Sequence, residues 1–110
     1  MLAVYKKPGE KAELIEVQNV LEDFQSLVQG NIEVVNISPY IYHTRRPSQR
    51  CLLICNETGK LDGLDANIVL GSDIVVGNIV VVAAGIDDFT SLADDEAEKI
   101  KNELNDLDIF

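Results

Sequence analysis

Along most of the chain, apolar residues come in short strand-like bursts, and they recur at helical spacing in only two places. Residues 2–6 and 12–18 read as strands separated by Lys7-Pro8-Gly9-Glu10-Lys11, which is turn chemistry, so the chain opens on a predicted β-hairpin. In the second run Ala12, Leu14 and Ile15 mix with Glu13 and Glu16, which suits a strand with one solvated face. Val20, Phe24, Leu27 and Val28 then lie on one helical stripe. Asn19 with Glu22 forms a capping-box pattern at its start, and Gly30 is the expected left-handed stop.

Asn31 to Ile37 is β-branched and predicts a third strand, and Cys51 to Asn56 a buried one that turns at Glu57-Thr58-Gly59-Lys60. A loop of turn formers, residues 61–67, leads into the short run 68–72. Asp73 to Gly85 is the most apolar stretch, and its Gly77-Asn78 pair reads as either a bulge or a tight hairpin turn. The last element is a helix. Ala97, Ile100, Leu104 and Leu107 share a stripe, Ser91 with Asp94 offers a second capping box, and the chain beyond Leu107 is expected to fray. Strands and helices do not alternate as βαβα. The predicted fold is therefore α+β: a small, mainly antiparallel sheet with two helices, an N-terminal β-hairpin and a C-terminal helix.

Composition supports one compact unit. With 110 residues, 46% hydrophobic and 25% charged, the chain suits a single domain over residues 1–110. The start of the chain lacks an apolar secretory core, and residues 74–86 are too short and too broken to span a bilayer, so a soluble, cytoplasmic protein is expected. Cys51 and Cys55 fall on one predicted strand, which separates their Cα atoms by about 13 Å, roughly twice the reach of a disulfide. Free core thiols are expected, and the chain has too few His and Cys for a metal site.

Charge narrows the partners. Nine Lys and Arg against 19 Asp and Glu give a net charge of −10, which disfavours direct nucleic-acid binding and docking on an anionic membrane. The first 50 residues are neutral, and the whole deficit lies in residues 51–110. Asp94, Asp95, Glu96 and Glu98 crowd the start of the last helix. They form either a solvated face or a surface that imitates nucleic-acid phosphates and fills a basic groove on a partner.

All three arginines, Arg45, Arg46 and Arg50, fall within six residues. They sit in a Tyr/Arg-rich loop or hairpin insert, Pro39–Arg50, beside the only histidine, His43, and two tyrosines, Tyr40 and Tyr42. Guanidinium forks match phosphate bidentately and neighbouring rings stack a base, so Tyr42, His43, Arg45, Arg46 and Arg50 form a candidate site for a phosphorylated, base-containing small molecule. Two plainer readings stand beside it: arginines paired with the protein's own carboxylates, or Tyr40 and Tyr42 alternating on a strand to pack a sheet. Catalytic patterns are weak. His43 with Cys51 makes a nucleophile pair on paper, but the Cys lies in an apolar run. Thr58-Gly59-Lys60-Leu61 lacks the leading Gly and the Ser/Thr of a phosphate loop, and residues 62–73 place Leu64 and Ala66 where a calcium loop needs ligands. A non-enzymatic protein without cofactor is expected.

From Ile54 onward, the runs Ile54-Cys55-Asn56-Glu57-Thr58-Gly59-Lys60-Leu61, Gly63-Leu64 with Asn67, Asp73-Ile74-Val75-Val76-Gly77, and Asp88-Phe89-Thr90-Ser91-Leu92 follow one another in a set order. With the closing helix, that order is similar to domain-of-unknown-function family 3846. The insert before Cys51 is longer than the family pattern, and Ala93 stands where a Thr or Ser cap is typical, which moves the expected cap back to Ser91. The resemblance implies an accessory protein of phages or conjugative elements, acting in a bacterial cytoplasm, and assigns no activity. The expectation is a counter-defence protein that sequesters a phosphorylated nucleotide-derived signal at the arginine segment. The alternative is an acidic inhibitor that uses Asp94, Asp95, Glu96 and Glu98 to block a nucleic-acid groove of a host defence enzyme. Edge strands in so small a sheet make a homodimer a further expectation.

Overall fold

The computed structural model describes residues 1–41 and 50–109. β1 (Leu2–Lys6) and β2 (Glu13–Glu16) form the expected hairpin, in register from Leu2↔Glu16 to Tyr5↔Glu13. There follow α1 (Leu21–Val28), β3 (Ile32–Asn36), a single helical turn α2 (Ser38–Ile41), β4 (Cys51–Asn56), β5 (Ala66–Leu70), β6 (Asp73–Val76), β7 (Ile79–Ala84), β8 (Phe89–Thr90) and α3 (Asp94–Asp106). The main sheet has the order β2-β1-β7-β4-β3, with β8 also on β7, and every pairing in it is antiparallel. β5 and β6 form a separate two-stranded antiparallel sheet. The α+β class, the opening hairpin and the closing helix are as the periodicity predicts. The single sheet with two helices becomes two sheets with three described helices.

Strand alternation explains the layers. In β7, Ile79, Val81 and Ala83 point to one face and Val80 and Val82 to the other, and all five are fully buried. The first face is covered by Ala97, Ile100 and Leu104 of α3 and by Ile68 and Leu70 of β5. The second is covered by Phe24 and Val28 of α1, with Phe89 set edge-on against Phe24 at 5.3 Å between ring centres. Of the predicted stripes, Phe24 and Val28 in α1 and Ala97, Ile100 and Leu104 in α3 are buried, Leu27 and Leu107 are half-buried, and Val20 stands exposed before α1.

Several local readings are corrected. The residue before α1 is Val20, with no side-chain cap, because the Asn19 amide instead donates to the Phe89 carbonyl at 3.1 Å. The left-handed residue that ends α1 is Gln29, at φ +62°, and not Gly30. Gly30 is needed for space: a Cβ there would lie 2.6 Å from the Asn56 amide nitrogen, which donates to the Val28 and Gln29 carbonyls and so closes the helix from outside. Ser91 does not cap α3 either. Its hydroxyl accepts the Leu2 N–H at 2.8 Å, and Ala93 precedes the helix without a side-chain cap, leaving the acidic first turn to complement the dipole.

Gly77-Asn78 is neither bulge nor hairpin turn. It carries the chain from the small sheet to the large one, and Gly77, at φ +76°, has Leu64 packed where a Cβ would stand. Tyr40 lies in the helical turn α2, exposed, and so does not alternate on a strand. The tail does not fray through Ile109: Asp108 bridges to Ile68, and the Ile109 N–H donates to the Asn67 carbonyl at 3.2 Å.

That tail closes a polar junction between the sheets. Lys6 ends β1 with its side chain wholly buried. Its ammonium donates to Asn67 Oδ1 at 2.6 Å and lies 3.3 Å from the Asp108 carboxylate. The Asn67 amide donates to the Lys6 and Gly77 carbonyls at 2.9 and 2.7 Å, from a register shift in β5 that turns this side chain inward. Replacing Asn67 with Ala strands two buried carbonyls and half-satisfies a buried charge, so Asn67→Ala is expected to cost about 3 kcal/mol in urea unfolding. Gln29→Gly relieves a left-handed non-glycine residue, and the same measurement is expected to show about 1 kcal/mol of stabilisation.

Candidate functional site

The motif runs meet at one cleft. Turn residues 57–61, the end of β4 and all of β6 face Glu33 and Val35 of the outer strand β3 around a space of about 220 Å³. Asn56 organises its rim: its Oδ1 accepts the Thr58 N–H at 2.9 Å while its amide holds the end of α1. Thr58 Oγ1 donates to Asp62 Oδ2 at 2.8 Å, and the Lys60 ammonium donates to Asp73 Oδ1 at 2.7 Å across the mouth. Those bonds to Lys60 and to the Ile74 N–H hold the Asp73 carboxyl below the usual carboxylate range. The resulting walls carry Glu33, Glu57 and Asp73 against the one cation Lys60, over an apolar floor of Val35 and Val75.

Cys55 lies on that floor, nearly buried. Burial pushes its thiol up to about 11, with the Glu33 and Asp73 charges adding to the rise and Lys60 opposing it. Cys51, deeper in the same face, is likewise raised to about 11 by burial and by Glu96 and Glu103. Both are free thiols, as expected from their spacing, and both are protonated at neutral pH. A thiol in that state is neither an activated nucleophile nor a ready metal ligand. Among the described residues no group of His, Cys, Asp and Glu is gathered to hold a metal ion.

A second, more polar cleft of about 370 Å³ lies between the β1–β2 turn and the end of α1, lined by Tyr5, Lys7, Glu10, Gln29 and Asn78. The Tyr5 hydroxyl and the Asn78 amide both donate to the Leu27 carbonyl at 3.1 Å, which fixes this wall to the helix.

The sequence-predicted residues divide. Tyr42, His43, Arg45 and Arg46 lie outside the described residues. Arg50 is exposed just before β4, and its carbonyl accepts the Ala84 N–H at 2.8 Å, which ties it to the end of β7. Asp94, Asp95 and Glu98 are exposed on α3, but Glu96 is buried, because its position falls beside Ala97 on the side of the helix turned to the sheet. Glu98 pairs with Lys101 at 3.0 Å.

Sequence reasoning missed Ile86, the most exposed large apolar side chain described, at the tip of the β7–β8 hairpin between Gly85 and Asp87. The Gly85 N–H donates to the Asp88 carbonyl at 2.7 Å and closes this turn tightly. The signal was there: an isoleucine between a glycine and two aspartates has no strand to belong to.

The thiols give a measurable consequence. The folded thiols keep their protons to about 11 against an ordinary 9.0, so the folded state binds more protons above pH 9 and stability falls as pH rises through that window. Alkylation of the native protein at pH 8 is expected to run at least about 100-fold slower than in denaturant, and Cys51→Ser with Cys55→Ser should remove the thiol part of the alkaline stability loss.

No curated protein and no solved structure matches the chain significantly. The family model Domain of unknown function (DUF3846) matches residues 1–105. That span takes in both faces of the main sheet, the small sheet, the cleft and nearly all of α3, and the chain therefore belongs to the DUF3846 family.

Proposed function

We propose that this protein is a non-enzymatic accessory protein of a phage or other mobile element, and that it occupies a basic, nucleic-acid-binding groove of a host defence protein. The observation that carries this reading is the exposed stretch from the β7–β8 tip to the first turns of α3. There Ile86 stands fully exposed beside Asp87 and Asp88, followed by the exposed Asp94, Asp95 and Glu98. From Asp87 onward the sequence holds nine acidic residues and two basic ones, Lys99 and Lys101; of the nine, Glu96 is buried and Asp108 pairs with Lys6 inside the fold.

Carboxylates in this density attract a cationic groove from a distance and speed the encounter, and a protruding apolar side chain supplies the contact that retains it. The raised thiols favour binding over thiol chemistry. The proposed place of action is the bacterial cytoplasm, a reading supported by the resemblance and by the free, buried cysteines. No helix among the described residues is long and apolar enough to cross a membrane.

A second reading is kept by one observation, the exposure of Arg50 on a backbone held to β7. On that reading Tyr42, His43, Arg45, Arg46 and Arg50 grip a phosphorylated nucleotide-derived signal and withhold it without chemistry.

Charge reversal separates the two. In DNA-cleavage assays with a panel of purified bacterial defence nucleases, the wild type is expected to inhibit at least one member. Asp94→Lys with Asp95→Lys and Glu98→Lys should lose that inhibition by at least about 100-fold, and Ile86→Asp by about 10-fold. Arg45→Glu with Arg46→Glu and Arg50→Glu should leave it intact. Inhibition that survives reversal of the acidic residues overturns the first reading. Recovery of an intact cyclic nucleotide or ADP-ribose derivative after heat release, lost in the arginine variant, establishes the second.

A further inference from the structure

β3 and β2 are the outer strands of the main sheet, and they end it differently. On β2 the start of the edge is closed by α3, where Asn105 Oδ1 accepts the Ala12 N–H at 2.8 Å, and the strand begins and ends on Glu13 and Glu16. In the small sheet the outer edge of β5 is also taken. Val69 N–H donates to the Leu107 carbonyl at 3.0 Å, and Asn67 accepts from Ile109.

Among the described residues β3 has neither device. Its ladder to β4 is flanked by bonds of odd-numbered residues, Glu57 N–H to the Asn31 carbonyl at 2.8 Å and Ile37 N–H to the Cys51 carbonyl at 3.2 Å. By antiparallel alternation Ile32, Val34 and Asn36 turn their N–H and C=O groups away from β4, and among the described residues no strand pairs with them there. The strand carries one charge, Glu33, and Val34 is 43% exposed.

We propose that this edge pairs with the same edge of a second copy of the chain, antiparallel about Val34, so that the two main sheets become one sheet across a twofold axis. The sequence of β3 is self-complementary in that register. Val34 meets Val34, Ile32 meets Asn36 and Glu33 meets Val35, so no like charges stand opposite one another. The same three residues that turn their backbone groups outward fall opposite one another, and the bonds close in pairs. Two chains of net charge −10 repel, so the association strengthens as salt screens them. This inference is independent of the proposed inhibitory surface, which lies on other elements.

Sedimentation over a dilution series at low and high salt reads it directly. At about 0.1 mM the wild type is expected to be mainly dimeric in high salt and less so in low salt. Val34→Pro removes one outward N–H without touching the ladder to β4 and should raise the dissociation constant at least about 100-fold, whereas Glu16→Gln on β2 should dimerise at least as well as the wild type. A wild type that stays monomeric in high salt, or a Val34→Pro protein as dimeric as the wild type, overturns the proposal. If Val34→Pro fails to fold, hydrogen exchange of the wild type decides: the Val34 and Asn36 amides should be protected when concentrated and exchange at least about 10-fold faster on dilution. Rates that do not depend on concentration overturn it.

Discussion

An ammonium group with no accessible surface sits where the two sheets meet, and the seating of one sheet on the other depends on how that charge is satisfied. A buried lysine is costly unless acceptors surround it. Here Asn67 supplies one from the small sheet and Asp108 another from the tail behind α3, while the Asn67 amide reaches back to the Lys6 and Gly77 carbonyls. The Asn67 side chain thus ties β1 to the passage between the sheets, and the Lys6 ammonium carries the tie on to Asp108 of the C-terminal tail. A leucine at Asn67 would fill the same space and leave the ammonium and both carbonyls without this partner.

What this junction positions is a surface as much as a core. With the small sheet fixed on one face of the large one, β6 comes opposite β3, and the cleft with Cys55 on its floor is the space left between them. The same face receives α3, whose apolar stripe is spent on Ala97, Ile100 and Leu104 and whose other positions are six acidic residues with Lys99, Lys101, Asn102 and Asn105. The excess negative charge is therefore held on a rigid helix and a tight hairpin tip. A loose tail of the same composition would bear the same charge at no fixed spacing.

The helix ends show how tertiary partners compete with local ones. Asn19 and Ser91 have the side chains of good caps and stand at the right distance from an acidic residue. Both are diverted: Asn19 to the Phe89 carbonyl and Ser91 to the Leu2 N–H, each about 70 or more residues away in the chain. Asn56 serves both, its Oδ1 holding its own turn through the Thr58 N–H while its amide closes the end of α1. A hydrogen-bonding side chain has no preference for near partners over far ones of equal geometry. Capping patterns read from sequence therefore locate a helix to within a turn without identifying what ends it.

Periodicity, composition and charge placement were sufficient for the α+β class, the opening hairpin, the closing helix, the apolar centres of both long helices, the free thiols and the segregation of the acidic residues. These follow from the sequence because each is a property of neighbours within a few positions, and burial of apolar surface rewards them wherever the chain folds. The passage of residues 77–78 between two sheets, the burial of Lys6 and Glu96 and, among the described residues, the unpaired outer edge of β3 were decided only by the tertiary structure. Each depends on which distant segment arrives at a given face, and a lysine at a strand end carries no local mark of the partner it will find.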